Sequence, residues 1–172
     1  GKASCFILQT QIMQFVSESI IDKTAEDLGA EDNFNAIIQD FQSGQPVLLA
    51  YLFSENFDLL TQNEQEYMLF LALVIWKACK NKQPEISPVE QSQLEELEES
   101  NWAKLNKSTA RKFNERIDVF FNEYPQEDLL AFVEDALVHD EDAEVTKEGR
   151  DFIFVALKTI IDCLHQSSLE KE

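Results

Sequence analysis

Ten consecutive residues, Tyr67–Trp76 (YMLFLALVIW), carry no charge and neither Gly nor Pro. A helix built on them is apolar on every side, and such a helix must be enclosed by other elements. The run is too short to cross a bilayer, which takes about 20 apolar residues. It therefore predicts a central helix that the neighbouring segments have to wrap. Thr61-Gln62-Asn63-Glu64, just ahead, has the form of a capping box, in which Thr and Glu side chains satisfy free backbone amides. The helix fades at Lys77–Lys82, before Pro84. A second dense apolar body, Phe152–Leu157 with Ile160, Ile161 and Leu164, follows Thr146, which can cap it. The polar tail after His165 is expected to fray.

A repetition links these two bodies. FNAIIQDFQSGQP at 34–46 and FNERIDVFFNEYP at 113–125 align without a gap. They pair Phe34 with Phe113, Asn35 with Asn114, Ile38 with Ile117, Phe41 with Phe120 and Pro46 with Pro125. In the same order follow Leu48-Leu49-Ala50-Tyr51 against Leu129-Leu130-Ala131-Phe132, Ala72-Leu73 against Ala156-Leu157, and Cys79 against Cys163. The offset changes only where loops are expected. The sequence thus predicts an internal duplication.

The remaining elements follow from periodicity and punctuation. Apolar residues between Phe6 and Ile21 suit a long first helix over 3–29, stopped near Gly29. Asn33 can cap a helix to about Gln42; Ser43-Gly44 ends it, and Pro46 opens a third, running to about Phe57. Ser87-Pro88-Val89-Glu90 reads as a second capping box with Pro at the first helical position. Ser108 or Thr109 starts a helix to Asn122, and Pro125 opens the next. This gives an all-α chain of about eight helices in roughly four hairpins, 3–42, 45–82, 88–122 and 125–166. Each hairpin is near the length of HEAT- or armadillo-type repeats, and the duplicated unit is a four-helix block of about 80 residues, 3–82 and 88–166. At 172 residues, with 44% hydrophobic residues including 13 Phe, the chain (1–172) is expected to be a single domain with a proper core.

Chemistry-bearing patterns are few. The only histidines are His139 and His165, and there is no Glu-x-x-His, so a helical-bundle metal site of that kind is not encoded. The three cysteines, at 5, 79 and 163, have no C-x-x-C spacing, and Cys79 and Cys163, on the two apolar bodies, read as small buried hydrophobes. Cys163 and His165 are two residues apart and would point to different sides of a helix. The stretch Asp140-Glu141-Asp142-Ala143-Glu144 has oxygen ligands but not the Gly or spacing of an EF-hand loop. No phosphate-binding Gly motif or nucleophile elbow occurs. No cofactor is implied, and a metal-dependent hydrolase is the least favoured reading.

Charge is the informative remainder. The net charge of −19 argues against direct nucleic-acid binding and against docking on anionic lipid. Lys104, Lys107, Arg111, Lys112 and Arg116 make five bases in 13 residues, whereas 117–146 hold ten acids and no Lys or Arg. Two surfaces follow as candidate partner sites: an acidic one at Glu127, Asp128, Glu134, Asp135, Asp140, Glu141 and Asp142, and a basic one at Lys104, Lys107 and Arg111. The expected function is a non-enzymatic, cytoplasmic protein-interaction module with a protein partner, basic in character. The alternative is an acidic inhibitor, of the immunity type, that neutralises a basic toxin or nuclease.

Overall fold

The computed structural model describes residues 13–30, 34–138 and 145–169. Among them are eight α-helices and no strand: α1 (Glu18–Ala30), α2 (Phe34–Gly44), α3 (Pro46–Leu52), α4 (Gln62–Lys82), α5 (Gln91–Lys107), α6 (Phe113–Arg116), α7 (Glu127–Val138) and α8 (Lys147–Leu169). Short 3-10 turns occupy Glu55–Phe57 and Asp118–Phe121. The fold is all-α. Among the described residues no helix is long and apolar enough to cross a membrane.

α4 and α8 carry the two apolar runs and pack against each other. Leu71 through Trp76 on α4 and Ile153 through Ile161 on α8 are buried. α1 lies on α4, α5 runs along α8, α7 packs on both α8 and α1, and α2 joins α3 and α4. The buried apolar side chains form one continuous cluster that draws on all of these elements. Gly44 ends α2 against Trp76; a Cβ there would lie 2.8 Å from the indole ring, so only glycine allows the approach. The same indole donates from Nε1 to Asp40 at 3.0 Å.

The N-termini of α4 and α8 meet at one carboxylate. Thr61 and Glu64 form the capping box of α4, with Glu64 N donating to Thr61 Oγ1 (3.1 Å) and Thr61 N to Glu64 Oε1 (2.8 Å). The other oxygen, Oε2, accepts from Thr146 N (2.8 Å) and Thr146 Oγ1 (2.9 Å). Thr146 caps α8 by accepting from Gly149 N at 2.9 Å. In a box within one helix, residue 149 would supply the carboxylate. Here it is glycine, and Glu64 of α4 serves both helices. Burial alone would raise the Glu64 pKa, but the bonds from Thr61 and Thr146 outweigh it and hold the pKa below the usual value.

Two buried glutamines clamp extended chain in the same way. Gln45, just before α3, donates from Nε2 to Ser87 O (2.9 Å) and accepts at Oε1 from Val89 N (2.9 Å). Gln126, just before α7, donates to Gln14 O (3.0 Å) and accepts from Val16 N (3.0 Å). Each clamp holds the strand-like approach to a helix, α5 in one case and α1 in the other, and buries its valine. These clamps explain two departures from the sequence expectation. The Ser87–Glu90 box does not form: α5 starts at Gln91 behind Glu90, because the backbone of 87–89 is engaged by Gln45. Likewise residues 13–17 are not helical, because Gln126 engages 14–16. The rest of the expected first helix, 3–12, and the Asn33 cap lie outside the described residues.

Other boundaries shift for local reasons. The helix expected through Asn122 is one α-turn and a 3-10 turn. Its buried residues Phe113, Ile117 and Phe120 step by four and then by three, and the last step is the 3-10 spacing. Glu123 then adopts φ 53°, which turns Tyr124 and Gln126 inward. α3 stops at Leu52, short of Phe57. The end of α8 does not fray after His165: it continues to Leu169 with Ser167 and Ser168 buried, and Gln93 of α5 donates to Gln166 at 3.2 Å.

Candidate functional site

A groove of about 570 Å³ lies between α1 and α7, floored by α4. Its floor includes Ile21, Tyr67, Phe70 and Phe132, and its rim carries Glu18 and Asp22 of α1 and Asp128 and Asp135 of α7. No Lys or Arg lines it among the described residues. The volume falls within the range of ligand clefts. The walls are tied together: Glu18 N donates to Asp128 Oδ2 at 2.9 Å, and Tyr67 OH donates to Ala136 O at 2.8 Å. Asp128 therefore caps α1 while it faces the groove.

A second opening, of about 530 Å³, has the opposite sign. Arg111, Lys112 and Arg116 approach it from one side, and Lys147 and Arg150 from the first turns of α8. Arg116 is held by Asp151, with Nη1 3.0 Å from both carboxylate oxygens. Arg150 lies 5.1 Å over the Phe113 ring.

A third constellation is closed. On the α5–α8 interface, Lys158 is 5% exposed. It donates to Asp162 Oδ2 (2.7 Å) and Asn101 Oδ1 (3.2 Å), and sits 4.6 Å from the Tyr124 ring centre. Asn101 in turn donates to Thr159 and to Asp162, and the Tyr124 hydroxyl donates to Asp162 Oδ1 at 2.6 Å. Burial lowers the Lys158 pKa, with Asp162 opposing it and Lys104 adding to it. Burial and Asp162 together raise that of Tyr124. None of these residues lines the two openings above, so the network acts as a satisfied polar core. The buried thiols Cys79 and Cys163 are both pushed up to about 12, chiefly by burial, which leaves them protonated and unreactive at neutral pH. Among the described residues no group of three or more His, Cys, Asp and Glu is placed to hold a metal ion.

Comparison with known protein families, characterised proteins and solved structures finds no match. The geometry is therefore the sole guide.

The acidic candidates from the sequence divide. Asp128 and Asp135 reach the groove; Glu127 is exposed at the start of α7, and Glu134 is half-buried on the same helix without lining the groove. Asp140, Glu141 and Asp142 lie outside the described residues. Of the basic candidates, Arg111 reaches the cationic cleft, whereas Lys104 and Lys107 stay on the exposed face of α5, with Lys104 over the Phe120 ring. Glu18, Asp22, Lys147 and Arg150 were missed. Each sits apart in sequence from the charge runs that drew attention, and only the packing of α1 on α7 and of α8 on α6 assembles them.

Proposed function

We propose that this chain is a helical protein-interaction module whose α1–α7 groove receives a basic, amphipathic segment of a partner protein. The carrying observation is an apolar floor flanked by four carboxylates with no cation among the lining residues. Apolar anchors of the partner would seat against Tyr67, Phe70 and Phe132, and its Lys or Arg side chains would meet the rim. A net charge of −19 adds long-range steering for a cationic partner. A binding role is favoured over catalysis because the polar network around Lys158 is buried away from both openings. If the partner is itself a basic toxin or nuclease, the same groove becomes an inhibitory site; loss of the partner's own activity on binding separates that case.

We also read the chain as one domain of two copies of a four-helix unit, 3–82 and 88–166, each a pair of helical hairpins. Three parallels support this. Phe41 and Phe120, Leu73 and Leu157, and Cys79 and Cys163 are all buried at matching positions. Gln45 and Gln126 clamp equivalent approaches to α5 and α1. Thr61 and Thr146 cap the two central helices. A cytoplasmic setting belongs to this reading: Cys79 and Cys163 are free thiols, as is usual where disulfides are rare.

The test is a titration with a Lys/Leu amphipathic helical peptide and its Glu/Leu counterpart, followed by NMR. The cationic peptide is expected to shift Tyr67, Phe70 and Phe132 resonances, to weaken steeply with added salt, and to lose affinity in Glu18→Gln/Asp22→Asn. Equal binding of both peptides, or shifts elsewhere on the surface, would end this reading.

A further inference from the structure

We infer that the cationic cleft between residues 111–116 and the first turns of α8 is a binding site for a phosphate-monoester dianion. It draws five of the chain's 14 Lys and Arg residues into one opening, against two acids, Glu148 and Asp151. Asp151 is already engaged by Arg116 through both oxygens. Arg111, Lys112 and Lys147 have no ion-pair partner among the described residues. Salt bridges with neighbouring helices therefore do not account for this cluster.

Arg150 supplies the second observation. Its guanidinium is laid on Phe113, and its Nε is buried with no hydrogen-bond partner. A buried charged donor without an acceptor is rare, and this one belongs to a residue that lines the cleft. Asn114 lines the same wall. A tetrahedral dianion offers several acceptor oxygens to forked guanidinium groups and to amines approaching from two sides, which a single carboxylate cannot match. The strongly acidic remainder of the chain does not cancel this local field. At physiological salt the screening length is about 8 Å, so charges lying farther off in solvent count for little beside those lining the cleft.

The dianion can come from a small phosphorylated molecule or from a phosphorylated side chain of a partner. Two probes distinguish them: inorganic phosphate, and a phosphoserine peptide set beside its unphosphorylated form. The readout is the Arg150 Nε–H resonance, together with the amides of Lys112 and Lys147. A saturable shift with either probe is expected. The exposed double variant Lys112→Gln/Lys147→Gln should weaken it about tenfold, two exposed charge contacts being removed, with an unchanged denaturation midpoint. Arg111→Gln alone should act in the same direction if the double variant proves unstable. Tighter binding of the phosphopeptide than of phosphate identifies a partner's modified side chain; equal binding identifies a small molecule. Absence of a saturable shift with both probes, or a shift indifferent to these substitutions, overturns the site.

Discussion

Gly149→Ala should destabilise the protein, against the usual rule for a helical glycine, and Glu64→Ala should reverse the sign. Gly149 does not adopt positive φ, so its role is to leave space. A Cβ there would lie 2.0 Å from Glu64 Oε2, 2.7 Å from Glu64 Cδ and 2.9 Å from Thr146 Oγ1. The obstructing atom ends a flexible side chain, which in open solvent would swing aside at little cost. Glu64 cannot do so: it is 1% exposed, and Oε2 holds both Thr146 donors. Two hydrogen bonds to a charged group are worth about 3–6 kcal/mol together, against about 1 kcal/mol gained by replacing a helical Gly. With some relaxation, the net loss should be about 2–4 kcal/mol. In the Glu64→Ala background the two nearest obstructing atoms are gone and Thr146 Oγ1, no longer tied to Oε2, can give way by a few tenths of an ångström, so Gly149→Ala should instead stabilise by about 0.5–1 kcal/mol. Urea unfolding of the four proteins, followed by far-UV circular dichroism, gives the coupling directly. An effect of Gly149→Ala with the same sign and size in both backgrounds would refute the shared cap.

The glutamine clamps predict a cross-over of protection. Gln45→Met should speed hydrogen exchange at the Val89 amide and Gln126→Met at Val16, each at a cost of about 2–4 kcal/mol for two unpaired backbone groups; unchanged exchange at those amides would disprove the clamps. The lowered pKa of Glu64 means the folded state binds fewer protons than the unfolded one. Its contribution is complete above about pH 4.3 and is lost as pH falls through the folded-state pKa. The stability difference between wild type and Glu64→Gln should therefore shrink on acidification below that point, and a difference that stays flat or widens would contradict the assignment.

Legibility in the sequence tracked distance along the chain. The start of α4 was readable because Thr61 and Glu64 satisfy each other within one turn, and the α2–α3 junction because Gly44 and Pro46 act locally. Ser87–Glu90 carries the same local signature as Thr61–Glu64, yet no box forms. The competitor, Gln45, is 42 residues away and leaves no periodic trace. The same holds for Gln126, 112 residues from its carbonyl partner. Lys158 and Asp162, spaced for one helix face inside an apolar run, were the one hint of the buried network. Their partners Asn101 and Tyr124 lie on other elements. The candidate surfaces were half legible for the same reason. A charge run shows which residues are available, but the groove rim needs Glu18 and Asp22, and the cationic cleft needs Lys147 and Arg150, all brought in by packing.

Apolar burial is non-directional and would tolerate α4 sliding along α8. The polar ties would not, because each leaves a buried donor or acceptor unpaired when misplaced. Glu64 fixes the two N-termini at one height. Gln45 ties α3 to the approach of α5, and Gln126 ties α7 to the approach of α1. The ties thus run between early and late parts of the chain, so neither part satisfies its buried polar groups alone. The groove inherits this rigidity. Its walls, α1 and α7, are joined by backbone-level bonds at Val16 and Glu18, and its floor is tied to α7 through Tyr67. A preformed groove spends little free energy on ordering when a partner binds. Rim charge, rather than rearrangement of the walls, should then set how fast a cationic segment associates, and the rate should fall as salt screens that charge.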